Sequence, residues 1–250
     1  LDEIDDILGT ADDAPARLFP GERGTRQPVH TCYVPADRFD ADTVTQWGRE
    51  ALAAIDRHGG GAESLAAAVG MPQSSVRDTL PRVLAKLAME PVEDLRVDFE
   101  DGYGTREDDE EDAAAAAAAQ ALSGGGADGE PPTTRAPFVG IRIKSLEAAT
   151  RRRGIRTLDV FLDALLKSAP FTPDLLVTLP KVTSVAQVEA MVRLCERAEK
   201  AYELPAGSLH FEIQVETPQA VLGPDGTALV APMLHAAVGP CVGGGGGTNI

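Results

Sequence analysis

The chain has 250 residues, which is enough for one large domain or two small ones. Its 39 Asp and Glu residues outnumber its 23 Lys and Arg residues, so the formal net charge at pH 7 is −16. This balance argues against binding to nucleic acid or to an acidic membrane, because both require clustered cations. No apolar run approaches the roughly 18 residues of a membrane span, and the acidic N-terminus is unlike a signal peptide. We expect a soluble cytoplasmic protein with no nucleic-acid or membrane partner.

The cysteine pattern argues against a disulfide framework and against a zinc site. Cys32, Cys195 and Cys241 are odd in number and lie far apart in the chain. Metal-binding cysteines occur in close pairs, and disulfide-rich domains carry even numbers of cysteines at short spacings. We therefore expect free thiols.

The predicted elements alternate between strands and helices from residue 29 onward. Short apolar runs rich in β-branched residues predict strands near 29–35, 94–100, 138–144, 174–181 and 209–216. Apolar residues at helical spacing predict helices at 42–57, within 59–75, after residue 75, and at 106–122, 157–168 and 185–202. This alternation favours an α/β fold with a parallel sheet.

Side-chain patterns in these helices predict which residues are buried and which are solvated. The predicted buried residues are Val83, Leu84 and Leu87 in the helix after residue 75, and Leu158, Phe161, Leu162 and Leu165 in the helix at 157–168. The acidic run at 106–112 is typical of a solvated helix start, where carboxylates favour the helix dipole. The basic triplet at 151–153 is interpreted in the same way.

Charged residues occupy one face of three predicted strands. Because strand side chains alternate, Leu95, Val97 and Phe99 lie opposite Arg96, Asp98 and Glu100. The strands at 138–144 and 209–216 show the same division, although a buried parallel strand should be apolar on both faces. Two interpretations stay open: a sheet with one wet or salt-bridged face, and a barrel whose lumen collects charge near its C-terminal mouth.

The candidate site residues lie in or just beyond the C-terminal halves of the strands. They are Asp98, Glu100, Asp101, Arg142, Lys144, Lys181 and Glu216. Carboxylates without a His or Cys cluster suit Mg²⁺, and a neighbouring Arg suits bidentate binding of a substrate carboxylate. A metal chelated by a 2-oxo acid can hold an enolate, the intermediate that makes or breaks a carbon–carbon bond next to a carbonyl.

Several segments, in chain order, resemble motifs of the HpcH/HpaI aldolase and citrate lyase β-subunit family. VDFEDGYG resembles the second-strand DLED-type motif, and GIRIKS is similar to the third-strand V-R-(I/V)-N motif. VTLPKVTSVAQVE resembles the fourth-strand L-P-K motif, and FEIQVETPQAV the fifth-strand I-E-T motif. VHTCYVPADR is similar to the first strand, and order and spacing match from about residue 29 to 222.

The resemblance implies a (β/α)8 TIM barrel of the pyruvate/phosphoenolpyruvate superfamily, with Mg²⁺-dependent lyase or aldolase activity. It implies that Arg142 binds a substrate carboxylate or enolate oxygen and that Glu216 is a direct metal ligand. It implies that Asp98, Glu100 or Asp101 is a partner of Arg142 or of metal-bound water. It also implies that Lys181 lines the wall of the site and that Lys144 binds substrate.

The chain also departs from the family pattern. Lys144 replaces the usual Asn of the third-strand motif, and Thr183 replaces the usual Glu of the fourth. The second metal ligand of the family, an Asp after the sixth strand, falls where this chain reads GGGGGTNI at 243–250. We also expect the basic triplet at 151–153 to be solvated rather than bound to a coenzyme A phosphate.

These observations give one expected organisation and one expected function. Residues 1–28 form a leader or lid segment, and residues 29–250 form a barrel domain, incomplete at its C-terminus, with insertions near 59–75 and 123–134. The expected function is a Mg²⁺-dependent carbon–carbon lyase or aldolase, in a homo-oligomer, acting on a 2-oxo acid or an acyl-CoA ester, with coenzyme A as part of the substrate in the second case. The alternatives are a phosphoenolpyruvate- or pyruvate-handling enzyme without coenzyme A and a non-catalytic barrel acting as a binding or assembly module.

Overall fold

The sheet is parallel, and its strands lie in the order in which they occur in the chain. This computed structural model describes residues 4–5, 8–9, 24, 26–124, 135–170 and 175–237. The strands are β1 (Thr31–Pro35), β2 (Asp94–Asp98), β3 (Phe138–Arg142), β4 (Leu175–Leu179) and β5 (His210–Ile213). Each pairs in parallel with the next, so the sheet order is β1-β2-β3-β4-β5. The predicted α/β fold with a parallel sheet is confirmed for these residues.

Helices follow every strand, as the alternation predicts. After β1 come α1 (Thr43–His58), α2 (Gly61–Val69) and α3 (Gln73–Met89), and after β2 comes α4 (Asp108–Leu122). The later helices are α5 (Arg151–Ser168), α6 (Val185–Ala201), α7 (Pro218–Val221) and α8 (Val230–Ala237). Within the described residues, no helix has the length and apolar character needed to cross a membrane.

Some sequence predictions lie partly or wholly outside the described residues. They are the leader at 1–28, the loop at 123–134, the glycine run at 243–247 and Cys241. Of the other two cysteines, Cys32 is half-buried and Cys195 is buried, and neither forms a disulfide within the described part of the chain, as predicted.

One face of the sheet forms the core with the helices. The register aligns Val34, Val97, Ile141, Val177 and Phe211 across the five strands, and all of them belong to one buried apolar cluster. The helix at 151–168 adds its apolar side to this cluster, and its four predicted residues, Leu158, Phe161, Leu162 and Leu165, are buried. The opposite face therefore carries the polar side chains.

Helix α3 is covered on a different side from the one predicted. Val83 and Leu84 are 41% and 36% exposed, whereas Val76 is only 4% exposed. The helix packs against α1 and α2, and Val76 is its buried residue, whereas Leu87 is half-buried. The prediction that Val83 and Leu84 form its buried stripe is therefore wrong.

Gly140 on β3 is a position where a side chain does not fit. A Cβ atom there would lie 1.9 Å from the carbonyl oxygen of Leu176 and 3.2 Å from Cδ of Arg96. The obstructing oxygen belongs to the backbone of the adjacent strand, so it cannot rotate away. We expect Gly140→Ala to lower the free energy of unfolding by about 3 kcal/mol, measured by urea denaturation. Unchanged stability would mean that β3 and β4 separate locally to admit the methyl group.

Candidate functional site

The polar face of the sheet carries ion pairs in two layers. Toward the amino ends of the strands, Arg96 is 1% exposed and its guanidinium donates to Asp94 and Glu212. One step toward the carboxyl ends, the register places Asp98 directly opposite Arg142. A ligand that approaches from the carboxyl ends would meet this second layer first.

Arg142 is held by a bidentate pair with Asp98. Its Nε and Nη2 atoms donate to the two oxygens of Asp98, both at 2.7 Å. Asp98 also accepts the backbone N–H groups of Glu100 at 2.9 Å and Gly102 at 2.8 Å. The remaining Nη1 atom lies 3.3 Å from Oε1 of Gln214 and 3.8 Å from Oε2 of Glu100. The guanidinium therefore has a fixed orientation, with Nη1 on the side away from Asp98.

The pair remains ionised at neutral pH. Burial alone would raise the pKa of Asp98, but hydrogen bonds from Arg142 and from the backbone outweigh burial and lower it. Burial would likewise lower the pKa of Arg142, yet the hydrogen bond and the charge of Asp98 raise it. The paired charges stabilise each other against the cost of burial.

Tyr33 packs against the guanidinium of Arg142. The Cζ atom of Arg142 lies 4.5 Å from the ring centroid, within the range of a cation–π contact. Burial and the charge of Glu212 raise the pKa of Tyr33, so its hydroxyl keeps its proton at neutral pH. Sequence reasoning missed Tyr33. The signal that could have found it is the two-residue alternation of side chains along β1. This alternation puts Tyr33 on the polar face of the sheet, beside its register partner Arg96 on β2.

Three carboxylates beyond the strand ends converge on Lys181. Its ammonium donates to Oε1 of Glu100 and, at 2.5 Å, to Oδ1 of Asp101. Its backbone N–H donates to Oε1 of Glu216 at 2.8 Å. Lys181 has a φ of 52°, a left-handed conformation that is uncommon for a residue with a Cβ atom. This turn directs the amide toward Glu216 and the side chain toward the other two carboxylates.

The groups of this cluster have shifted pKa values. Burial raises the pKa of Glu100, although the hydrogen bond from Lys181 opposes the shift. The hydrogen bond from Lys181 lowers the pKa of Asp101. Burial would lower the pKa of Lys181, but hydrogen bonds to Asp101 and Glu100 outweigh it and raise the value. Lys181 is therefore a cation near neutral pH, and Glu100 takes up a proton more readily than its neighbour Asp101.

The structure joins six of the seven predicted site residues into one network. The connection runs from Asp98 to Arg142, from Arg142 to Glu100, and from Glu100 through Lys181 to Asp101 and Glu216. We call these six residues the mouth network. Arg142 and Glu216 do lie at the same edge of the sheet, connected through Glu100 and Lys181.

Lys144 lies apart from the mouth network. Its ammonium donates to Glu111 at 2.6 Å and to the carbonyl oxygen of Phe99 at 2.7 Å. Glu111 is fully buried and also accepts the hydroxyl of Thr157, and Arg153 lies 3.4 Å away. Because β3 ends at Arg142, the alternation used to place Lys144 no longer applies. Within the described residues, its contacts are those of a buried ion pair between the loop after β3 and α4.

This second cluster corrects the interpretation of the two charged runs at single residues. Residues 107–110, Arg151 and Arg152 are exposed, as predicted, whereas Glu111 and Arg153 are not. Glu111 is buried rather than solvated, although it belongs to the acidic run at the start of α4. Arg153 pairs with Asp108 at 3.0 Å and with Asp112, and Arg156 pairs with Asp112 as well. These ion pairs bind α4 and α5 to each other, because opposite charges at the two helix starts face one another.

The mouth network offers few ligands for a metal ion. Among the residues that the structure describes, no three His, Cys, Asp or Glu side chains are grouped as a metal site. Glu216 is exposed, and only its Oε1 atom takes a hydrogen bond in this part of the chain. Mg²⁺ commonly binds one or two carboxylates and completes its octahedron with water and substrate oxygens. Glu216 fits such a site.

An open groove of about 480 Å³ lies beside the mouth network rather than on it. It is lined by residues of the loops after β3 and β4 and by the adjoining helices, among them Leu146, Arg151, Thr183 and Gln187. None of the six network residues lines it. The candidate site is therefore defined by the ion pairs of the mouth network and not by this groove.

Comparison with known proteins assigns the chain to a family whose model is described as a domain of unknown function. A search of curated proteins found no match. A family model described as a domain of unknown function, DUF6986, matches residues 8–249. This match covers nearly the whole chain and includes every residue of the mouth network. The chain therefore belongs to the DUF6986 family.

Proposed function

We propose that this protein is a Mg²⁺-dependent carbon–carbon lyase or aldolase that acts on a 2-oxo acid or an acyl-CoA ester through an enolate. The observation that carries the proposal is the guanidinium of Arg142, which Asp98 holds next to the carboxylates around Lys181. A fixed guanidinium suits a substrate carboxylate or enolate oxygen. Neighbouring carboxylates suit the hard cation that such an enolate needs.

We further propose that the sheet is part of a (β/α)8 barrel. The strand order follows the chain and every pair is parallel, whereas a doubly wound sheet reverses its order at a switch point. The polar face, with buried Arg96 and its carboxylates, suits the lumen of such a barrel. In barrels the active site lies at the carboxyl ends of the strands, which is where the mouth network lies.

Arg142 would bind the substrate through its Nη1 atom. Asp98 occupies Nε and Nη2, and the Tyr33 ring supports the guanidinium plane, so Nη1 keeps one direction. This arrangement holds the substrate in one orientation before reaction, which lowers the entropic part of the barrier. Gln214, 3.3 Å from Nη1, would yield its place to a substrate oxygen.

Glu216 would hold Mg²⁺ together with water and substrate oxygens, with Glu100 and Asp101 nearby. When bound, Mg²⁺ supplies the positive charge that stabilises an enolate. A side chain of the protein would transfer the proton, and Glu100 suits this role best because burial raises its pKa. Its Oε2 atom, 3.8 Å from Arg142, would take the proton of the substrate hydroxyl as the carbon–carbon bond breaks and a carbonyl forms, and would return that proton to the enolate carbon.

The test of this proposal is the binding of a 2-oxo acid. We expect pyruvate or oxaloacetate, titrated calorimetrically in the presence of Mg²⁺, to bind the unaltered protein and to bind Arg142→Lys about 30-fold or more weakly. A lysine has a single compact ammonium in place of the planar guanidinium fork, so it cannot reproduce the two parallel bonds to Asp98 and also place a donor at the position of Nη1. Arg156→Lys, which changes an exposed arginine paired with Asp112, is the matched control and should bind normally. Equal affinity in all three proteins would contradict the proposal.

Turnover separates the proposed lyase from a binding module. We expect release of pyruvate from a 4-hydroxy-2-oxo acid, or cleavage of an acyl-CoA ester, and loss of both in Glu216→Ala. Binding that depends on Arg142 without turnover of either substrate class would favour a non-catalytic module. Turnover of phosphoenolpyruvate alone would favour the enzyme that works without coenzyme A.

A further inference from the structure

The C-terminal half of α3 carries apolar side chains that no described residue covers. Within 81–89 every residue is exposed except Lys86 and Leu87, which are half-buried. On a helix, residues three and four apart lie on one face. Four of the exposed apolar residues have this spacing and form one surface, which we call the α3 stripe: Pro81, Leu84, Ala85 and Ala88. An apolar stripe of this kind is the side of a helix that normally packs against another segment.

Cations border the α3 stripe on a protein that is otherwise strongly acidic. The whole chain has a formal net charge of −16. Helix α3, in contrast, contains three cations and one acid: Arg77, Arg82, Lys86 and Asp78. Arg77 and Arg82 are exposed, and neither forms an ion pair within the described part of the chain. A segment that covers the stripe should therefore be apolar on one side and acidic along its edges.

The first nine residues of the chain have this character. Leu1, Ile4 and Leu8 have helical spacing in the sequence. The charged residues between them are all acidic: Asp2, Glu3, Asp5 and Asp6. Ile4 and Leu8 are helical in the structure, and they are 53% and 47% exposed. This segment therefore presents a second apolar face, edged with the charge opposite to that beside the α3 stripe.

We propose that residues 1–9 dock on the α3 stripe of the same chain. Their apolar side chains would cover Leu84 and Ala88. Their carboxylates would lie beside Arg77 and Arg82 and complete ion pairs with them. The inference gives the predicted leader a binding surface within the protein, and it does not depend on the proposed function.

The chain itself brings the two surfaces together. Arg26 pairs with Glu90, the residue that follows α3, with Nη1 at 2.9 Å from Oε2. The stripe begins beside this pair, because Met89 and Pro81 are separated by about 12 Å of helix. The chain between residues 9 and 26 can extend over roughly 50 Å, so it reaches the whole stripe. A short tether gives a local concentration on the order of millimolar, which favours the segment of the same chain over that of a second copy.

The first test locates the segment by photocrosslinking. A benzophenone amino acid at position 85, in the α3 stripe, should cross-link to residues 1–9, as identified by mass spectrometry. The product should keep the mass of one chain. The same amino acid in place of the exposed Leu222 is the matched control and should not label residues 1–9. Absence of cross-links from position 85 to residues 1–9 would overturn the inference. Cross-linked products with the mass of two chains would also overturn it, because they would assign the contact to a second copy.

The second test measures hydrogen–deuterium exchange of the backbone N–H groups of residues 1–9. Leu84→Asp and Arg82→Glu should each speed this exchange about fivefold or more, because each places a carboxylate against the acidic segment. Arg82 is exposed, so Arg82→Glu tests the contact even where Leu84→Asp lowers stability.

Leu222→Asp and Arg193→Glu are the matched controls for this second test. They make the same changes at exposed positions away from α3 and should leave the exchange of residues 1–9 as it is. Exchange of residues 1–9 at one rate in the unaltered protein and in all four variants would overturn the inference.

Discussion

Asp98→Asn is expected to lower the free energy of unfolding by about 3–5 kcal/mol. Asp98 is 1% exposed and holds two nitrogens of Arg142, each at 2.7 Å. An asparagine of the same shape can accept only one of those bonds and leaves the buried guanidinium with the more distant carboxylate of Glu100, 3.8 Å from Nη1, as its counter-charge. Urea denaturation followed by circular dichroism measures the change. Asp101→Asn, at the exposed end of the same segment, is the matched control and should cost about 1 kcal/mol or less.

The effect of Asp98→Asn should depend on pH in one direction. Arg142 and the backbone N–H groups hold the pKa of Asp98 below its ordinary value in the folded protein. A carboxyl with a lowered folded pKa stabilises the protein above its unfolded pKa of about 4, and this stabilisation is lost as the pH falls through the folded value. The stability difference from Asp98→Asn should therefore be full above about pH 4 and shrink in stronger acid. A difference that persists unchanged at low pH would contradict the ion-pair explanation.

Glu111→Gln should have an effect of similar size, about 3–5 kcal/mol, in a separate region of the protein. Glu111 is fully buried, with Lys144 at 2.6 Å from one oxygen and the Thr157 hydroxyl at 2.6 Å from the other. Removing its charge leaves the Lys144 ammonium and the Arg153 guanidinium beside a neutral amide. Glu110→Gln, at a neighbouring residue that is 56% exposed, is the matched control and should change little.

A double-mutant cycle shows whether Lys144 is the partner responsible. Glu111→Gln and Lys144→Met together should cost clearly less than the sum of their separate effects, because each already breaks the same pair. Additive costs would mean that Glu111 stabilises the protein through Thr157 and Arg153 alone. Neither variant should alter 2-oxo acid binding by the mouth network beyond the effect of lost stability.

The sheet and its polar face could be predicted because their signals are local. A strand alternates with a period of two, so the placement of Asp98 and Arg142 follows from their own segments once parallel pairing is assumed. The same rule applied to β1 would have located Tyr33. Glu100, Asp101, Lys181 and Glu216 also gather at one edge because they follow three parallel strands.

The features that could not be predicted depend mainly on contacts between distant segments of the chain. Lys144 lies two residues beyond the end of β3, where the alternation no longer holds, and its partner Glu111 lies 33 residues away on α4. The left-handed backbone of Lys181 could not be predicted, since nothing in the local sequence favours a positive φ at a lysine after proline. The exposure of Val83 and Leu84 depends on which neighbours α3 packs against.

The alternation of charge along β2 also limits how the chain can misfold. The native register pairs Arg96 with Gly140 and Asp98 with Arg142. A slip of one residue would turn every β2 side chain over, so Arg96 and Asp98 would enter the apolar layer and Val97 would face the ion pairs. Each unpaired buried charge costs several kcal/mol, which makes such misaligned sheets far less stable than the native one. A wholly apolar β2 would carry no such penalty, so these charges select one alignment during folding.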